Sequence, residues 1–239
     1  MFQSKVVGAA VRAIGVAALL VTLASTDAGA AKAVAKTPQE QFQISMGNAA
    51  QKKFVVIDMH GTNVSGKYFD VWRSNPNSGS LVETQDHPGS KGHVYINVLD
   101  RVVYERIDAA QWKYAGIPAK YKSYEDKWFI LRKSSASYST FLQQVVTSGS
   151  LLIPINGTQF TIQISTKLHG VKVIGLEGAL TGSNPAVPVT LCISKAKNPL
   201  PLEVYVPRTA KNKDVWTATY AFRTSASPIA KPTTSLIFP

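Results

Sequence analysis

From Phe54 onward the apolar residues recur every second position in short β-branched and aromatic runs, and this alternation constrains the fold more than any other feature of the sequence. Successive side chains on a strand point to opposite sides, so each run offers one apolar row to a core. The first six runs are Phe54 to His60, Lys67 to Arg73, Ser80 to Gln85, His93 to Leu99, Val102 to Ile107 and Lys127 to Lys133. Turn formers separate them: Ser74-Asn75-Pro76-Asn77-Ser78-Gly79, His87-Pro88-Gly89-Ser90-Lys91-Gly92 and the tight Asp100-Arg101 link. Such short joints cannot support parallel crossovers, so neighbouring strands should be antiparallel and follow one another as a meander. Further runs follow at Phe160 to Ser165, His169 to Leu180, Val187 to Lys195, Leu202 to Pro207, Val215 to Arg223 and Thr233 to Phe238.

Two segments break the pattern. Thr37-Pro38-Gln39-Glu40 combines an N-cap threonine, proline at the first helical position and glutamate three residues after the cap, the signature of a helix start. Phe42, Met46, Ala49 and Ala50 would form its apolar stripe. Ser139 precedes Phe141, Leu142, Val145 and Val146, which predicts a short amphipathic helix ending near Gly149. Many strands with one N-terminal helix and one helical insertion give an α+β class, mainly antiparallel β. The sheet should curl, with the helices covering its concave face. No internal repeat or low-complexity tract is present.

A curled sheet under helices encloses an apolar space, either packed solid or left open for a ligand. Its ligand contacts would come from one alternating set on each strand and from the apolar helix faces. The candidates are Phe69, Val71, Val94, Ile96, Val98, Val102, Tyr104, Phe141, Leu142, Val145, Leu151 and Leu152. Burial of an acyl chain at about 0.8 kcal/mol per CH2 needs no polar signature.

The N-terminus reads as an export signal. Lys5 and Arg12 form a positive region, Ala13 to Leu23 an apolar stretch of signal-peptide length, and Ala28-Gly29-Ala30 a small-residue cleavage pattern, with Ala31-Lys32-Ala33 as a second option. An uncleaved anchor would have to reach back through Arg12 for its length. The expected organisation is a signal at 1–30, a linker at 31–36 and one domain at 37–239, with no transmembrane helix after processing. The lone cysteine, Cys192, lies far from the cleavage region, so no lipid anchor is expected and no internal disulfide can form.

The formal charge is +12, and residues 1–30 hold only Lys5, Arg12 and Asp27 of the charged residues, so the surplus belongs to the exported domain. It favours anionic neighbours such as lipid head groups or wall polymers through long-range fields. The lysines never run longer than two, and no nucleic-acid motif accompanies them, which argues against nucleic acid as a partner.

Catalytic and metal motifs are not found. His60, His87, His93 and His169 fit neither H-E-x-x-H nor a Cys/His zinc spacing, and no G-x-S-x-G occurs. Asp58 and His60 share a strand face and read as a surface pair, and Cys192, between Leu191 and Ile193, as a buried strand thiol. No enzyme, metal or cofactor is expected. The sequons Asn63-Val64-Ser65 and Asn156-Gly157-Thr158 matter only on a eukaryotic secretory route.

The order of segments resembles the LolA-like superfamily of lipoprotein and lipid carriers, especially its LppX/LprG branch. The resemblance rests on Gly92-His93-Val94-Tyr95-Ile96-Asn97-Val98, Val103-Tyr104, Trp112, Lys127-Trp128-Phe129 and the Ser139 to Val146 helix. It continues through Lys167 to Leu176, Thr190-Leu191-Cys192-Ile193-Ser194, Pro199-Leu200-Pro201-Leu202-Glu203-Val204 and Thr219-Tyr220-Ala221-Phe222. It implies a half-open β-barrel closed by helices, a lipid, acyl chain or lipidated molecule as partner, and a place in the cell envelope. The missing lipidated cysteine departs from LppX and LprG and implies an untethered protein. The alternative is a noncatalytic basic surface or wall-associated binding protein with a solid core.

Overall fold

The computed structural model describes residues 35–146, 155, 157–180, 186–209 and 213–238. Among the described residues twelve strands form one open sheet: β1 (Phe54–Asn63), β2 (Gly66–Ser74), β3 (Gly79–His87), β4 (Ser90–Leu99), β5 (Val102–Ile107), β6 (Phe129–Ile130), β7 (Thr158–Leu168), β8 (Val171–Leu180), β9 (Val187–Ser194), β10 (Pro201–Val206), β11 (Val215–Arg223) and β12 (Leu236–Ile237). Their spatial order is β12-β6-β5-β4-β3-β2-β1-β11-β10-β9-β8-β7. Two antiparallel meanders, β1 to β6 and β7 to β11, are therefore joined where β11 pairs with β1, with Ile57 opposite Tyr220. The parallel pairing of β12 with β6 departs from the antiparallel expectation.

Turn chemistry sets the register. Asp100 and Arg101 both adopt positive φ, 49° and 62°, as a two-residue hairpin of primed type requires. This pairs Leu99 with Val102 and Val98 with Val103. His169 and Gly170, at 48° and 83°, make the equivalent turn between β7 and β8, so the strand expected from His169 begins at Val171.

Helix α1 (Pro38–Ala50) has the predicted capping box: Glu40 N donates to Thr37 Oγ1 at 3.2 Å and Thr37 N to Glu40 Oε2 at 2.7 Å. Its Phe42 ring meets Phe160 of β7 at 5.0 Å, and Asn48 donates to the Pro199 carbonyl, which ties it to the β7–β10 half. Helix α3 (Ala136–Val145) begins three residues before the expected Ser139 start. Ser135 is the cap, its hydroxyl accepting from Tyr138 N. It lies on the β2–β5 half, where a Cβ at Gly79 would run into the Val145 carbonyl oxygen. Helix α2 (Ala109–Tyr114) and a 3₁₀ turn at Ala119–Tyr124 occupy a stretch that sequence periodicity left without an element, and the expected strand Lys127 to Lys133 shortens to Phe129–Ile130. Six residues span fewer than two helical turns, too short for an apolar stripe to repeat.

All three α-helices lie on one face of the sheet. Beneath them Ile57, Leu81, Ile96, Leu176, Leu191, Ile193 and Val204 join Met46, Trp112, Phe141 and Val145 in a single buried cluster. Its continuity across both meanders requires the sheet to curl toward its helical side, as a sheet this wide does. The chain after β11 holds to the rest at three places. Asn75 and Ser227 exchange two hydrogen bonds, Asn97 donates to the Ala230 carbonyl, and β12 adds to β6, where Phe238 stacks on Phe129 at 4.9 Å.

Candidate functional site

Strand register decides which side chains face the helices. Val55, Ile57, Met59 and Gly61 of β1 lie opposite Ser74, Trp72, Asp70 and Tyr68 of β2. These continue to Gly79, Leu81, Glu83 and Gln85 of β3, then to Val98, Ile96, Val94 and Gly92 of β4. On β5 the same face carries Val103, Glu105 and Ile107.

Of the twelve expected ligand residues, Val94, Ile96, Val98, Phe141 and Val145 are buried on this covered side, and Leu142 is half-buried against it. Phase separates four others. Val98 opposite Val103 leaves Val102 and Tyr104 on the outer face, and Ile57 opposite Trp72 leaves Phe69 and Val71 there. Tyr104 and Val71 are buried on that outer face, while Phe69 is 44% exposed. In their place the covered face receives Val103, Trp72 and Tyr68. Leu151 and Leu152 lie outside the described residues.

A groove of about 660 Å³ opens at the strand ends. β1 contributes His60 to Thr62, β2 Lys67 to Phe69, β11 Val215 to Thr217, and Thr84, Asp86 and Lys91 complete it. Among the expected residues it takes Phe69 alone, and it lies at the rim of the sheet rather than beneath the helices. Gly61 shapes it: a Cβ there would stand 2.7 Å from the Tyr68 ring and from Trp216 Cβ. These two aromatic residues therefore lie over bare backbone at the mouth, on the covered side. Lys91, 3.8 Å from Asp86, and Lys67 give the outer rim a basic character.

One row deeper, the covered face changes chemistry. Asp70 and Glu83 are direct cross-strand partners, and Glu105 lies in the next row on β5. Asp70 is 5% and Glu105 7% exposed. Burial drives all three carboxyls above their ordinary range, with like-charge repulsion from Glu83 adding to the shifts of Asp70 and Glu105. Glu83 reaches about 7 and Glu105 about 8. Burial, followed by the charges of Asp70 and Asp214, also raises the Tyr68 phenol. No lysine or arginine occupies the covered face of β1 to β5 in this register. The period-two pattern hid this cluster because a strand's polar residues are read as its solvent face. The missed signal was distance from the turn: Asp70 precedes Ser74 by four residues and Glu83 follows Gly79 by four.

Elsewhere, Asp58 and His60 both lie on the outer face of β1, and no set of three His, Cys, Asp or Glu among the described residues is placed to hold a metal ion. Cys192, half-buried on the outer face opposite Glu203, has its thiol raised by burial and then by that carboxylate. His93 Nδ1 lies 2.7 Å from Asp108, the cap of α2, and His87 Nε2 lies 2.7 Å from Gln111. The first contact fastens α2 to β4 and the second to the end of β3. On the outer face the Arg106 guanidinium stacks 4.1 Å from Tyr95 and 5.5 Å from Trp128.

No family model matches the chain, and no curated protein matches it. Among solved structures, a LolA superfamily protein from Nitrosomonas europaea matches with 11% identity over 78% of this chain and 92% of that one, at a TM-score of 0.29. No helix among the described residues is long and apolar enough to cross a membrane.

Proposed function

We propose that this is an exported, noncatalytic envelope protein that carries a lipid, an acyl chain or a lipidated molecule against the helix-covered face of its sheet. The observation that supports this most is the continuity of that face. An apolar bed from β5 to β8 runs beneath three short helices, and its end meets a groove of about 660 Å³ at Tyr68 and Trp216. A chain entering at the groove would part the helices from the sheet and take their place over Val94, Ile96 and Val98. Each buried methylene would contribute about 0.8 kcal/mol. The basic rim, with Lys67 and Lys91, suits the approach to an anionic membrane or wall surface.

Purification without detergent, followed by lipid extraction and mass spectrometry, tests the reading. Stoichiometric acyl lipid, or saturable binding of a fluorescent long-chain probe after delipidation, is the expected result. A lipid-free protein that also binds no such probe refutes it.

A further inference from the structure

We propose that the amphiphile bound along this face carries a protonated or quaternary amine in its head group, seated beside Asp70 and Glu83 and among Tyr68, Trp72 and Trp216. This rests on the carrier reading and specifies its ligand. Three features of the covered face point to it.

The first is uncompensated acid. Asp70, Glu83 and Glu105 sit on the covered side of a chain whose formal charge is +12, yet no lysine or arginine shares that face of β1 to β5, and its one histidine, His87, lies at the far end of β3 against Gln111. Buried carboxylates are ordinarily paired, because a lone charge in a poorly polarisable interior is costly. Among the described residues no ion pair reaches the trio, and the trio is not arranged as a metal site. An organic cation would supply the missing charge.

The second is the aromatic surround. Trp216 and Tyr68 flank Gly61 in the row at the groove, and Trp72 follows in the row that holds Glu105. Same-face neighbours along β2 stand about 6.5–7 Å apart, so an amine beside Asp70 has Tyr68 on one side and Trp72 on the other, each within one such step. Rings with negative faces beside carboxylates are the chemistry that recognises ammonium groups.

The third is an unused donor. Trp72 is 4% exposed, and its indole Nε1 has no hydrogen-bond partner among the described residues. A buried N–H without an acceptor is uncommon in a folded protein. A hydroxyl or carbonyl oxygen next to the amine, as in an acylated amino alcohol, would accept from it.

Three fluorescent probes with one C11 chain, ending in trimethylammonium, hydroxyl or carboxylate, separate the outcomes when titrated at pH 8. The full chain should bind the ammonium probe at least about tenfold more tightly than the other two. The double variant Asp70→Asn, Glu83→Gln should bring the ammonium-to-hydroxyl ratio to about one. Glu203→Gln, on the outer face, should leave that ratio unchanged. Because the amides remove buried charge, circular dichroism and a thermal melt are expected to show the double variant folded. Trp72→Phe, which keeps the ring and removes the donor, should weaken an O-acylcholine probe, which has an ester carbonyl beside its quaternary amine, more than the trimethylammonium one. Equal affinity for ammonium and hydroxyl probes, or preference for carboxylate, overturns the inference while leaving the carrier reading intact. Failure of all three probes to bind overturns both.

Discussion

The two meanders share a sheet, a core and a helical cover, but they fill the covered face differently. In the β7–β11 half the buried part of that face is apolar except for Thr158, with Phe160, Leu176, Val189, Leu191, Ile193, Val204 and Val206 beneath or beside α1. The β1–β6 half places Asp70, Glu83, Gln85 and Glu105 among Leu81, Val94, Ile96 and Phe141. One half is built as ordinary core; the other tolerates groups that weaken a core. Polar residues in such a place are retained at a cost to stability, which is the mark of a surface used for something other than folding.

The largest expected effect strikes the ordinary half. Leu191→Ala, at a fully buried position, should cost about 2–5 kcal/mol, read as a lower midpoint in urea unfolding. A loss below about 1 kcal/mol would show that this half is loosely packed and erase the contrast.

The second effect belongs to the acidic half and depends on pH. Glu83 and Glu105 are raised from 4.5 to about 7 and about 8 on folding, so the folded state binds more protons than the unfolded chain between these values. Stability is therefore greatest near pH 4.5 and declines as pH rises through 7 to 8. The melting temperature should fall by roughly 5–10 °C between pH 5 and pH 8.5. Glu83→Gln combined with Glu105→Gln should flatten that slope, whereas Glu203→Gln should not. A slope that survives the double substitution would place the titration elsewhere.

The smallest effect concerns the caps. Thr37→Ala on α1 and Ser135→Ala on α3 should each cost about 1 kcal/mol in equilibrium unfolding. Hydrogen exchange should rise in the affected helix alone. Loss confined to one helix would show that the two halves of the cover open independently.

The difference between the halves also marks where the sequence was readable. The strands announced themselves through alternation and turn formers, and α1 through Thr37, Pro38 and Glu40, because these signals are local. Phase was harder to read. Trp72 faces the core and Val71 does not, although both are apolar, and the choice is made by pairing with Ile57 across the β1–β2 turn. The same holds at Asp100-Arg101, where a two-residue turn sends Val103 rather than Val102 to the covered side. The acidic cluster draws members from β2, β3 and β5, so it exists only once three strands are in register. Helix α2 depends on Asp108 and on contacts with β4 that no six-residue window contains.

The central claim is that a lipid chain lies against the covered face, and contact quenching tests it most directly. In a protein retaining only Trp72, with Trp112, Trp128 and Trp216 changed to Phe, a lipid with a dibrominated chain should quench the fluorescence saturably. In the matching protein retaining only Trp128, which stacks with Arg106 and Tyr95 on the outer face, the same lipid should leave the emission unchanged. Equal quenching of the two, or quenching of Trp128 alone, would contradict the account.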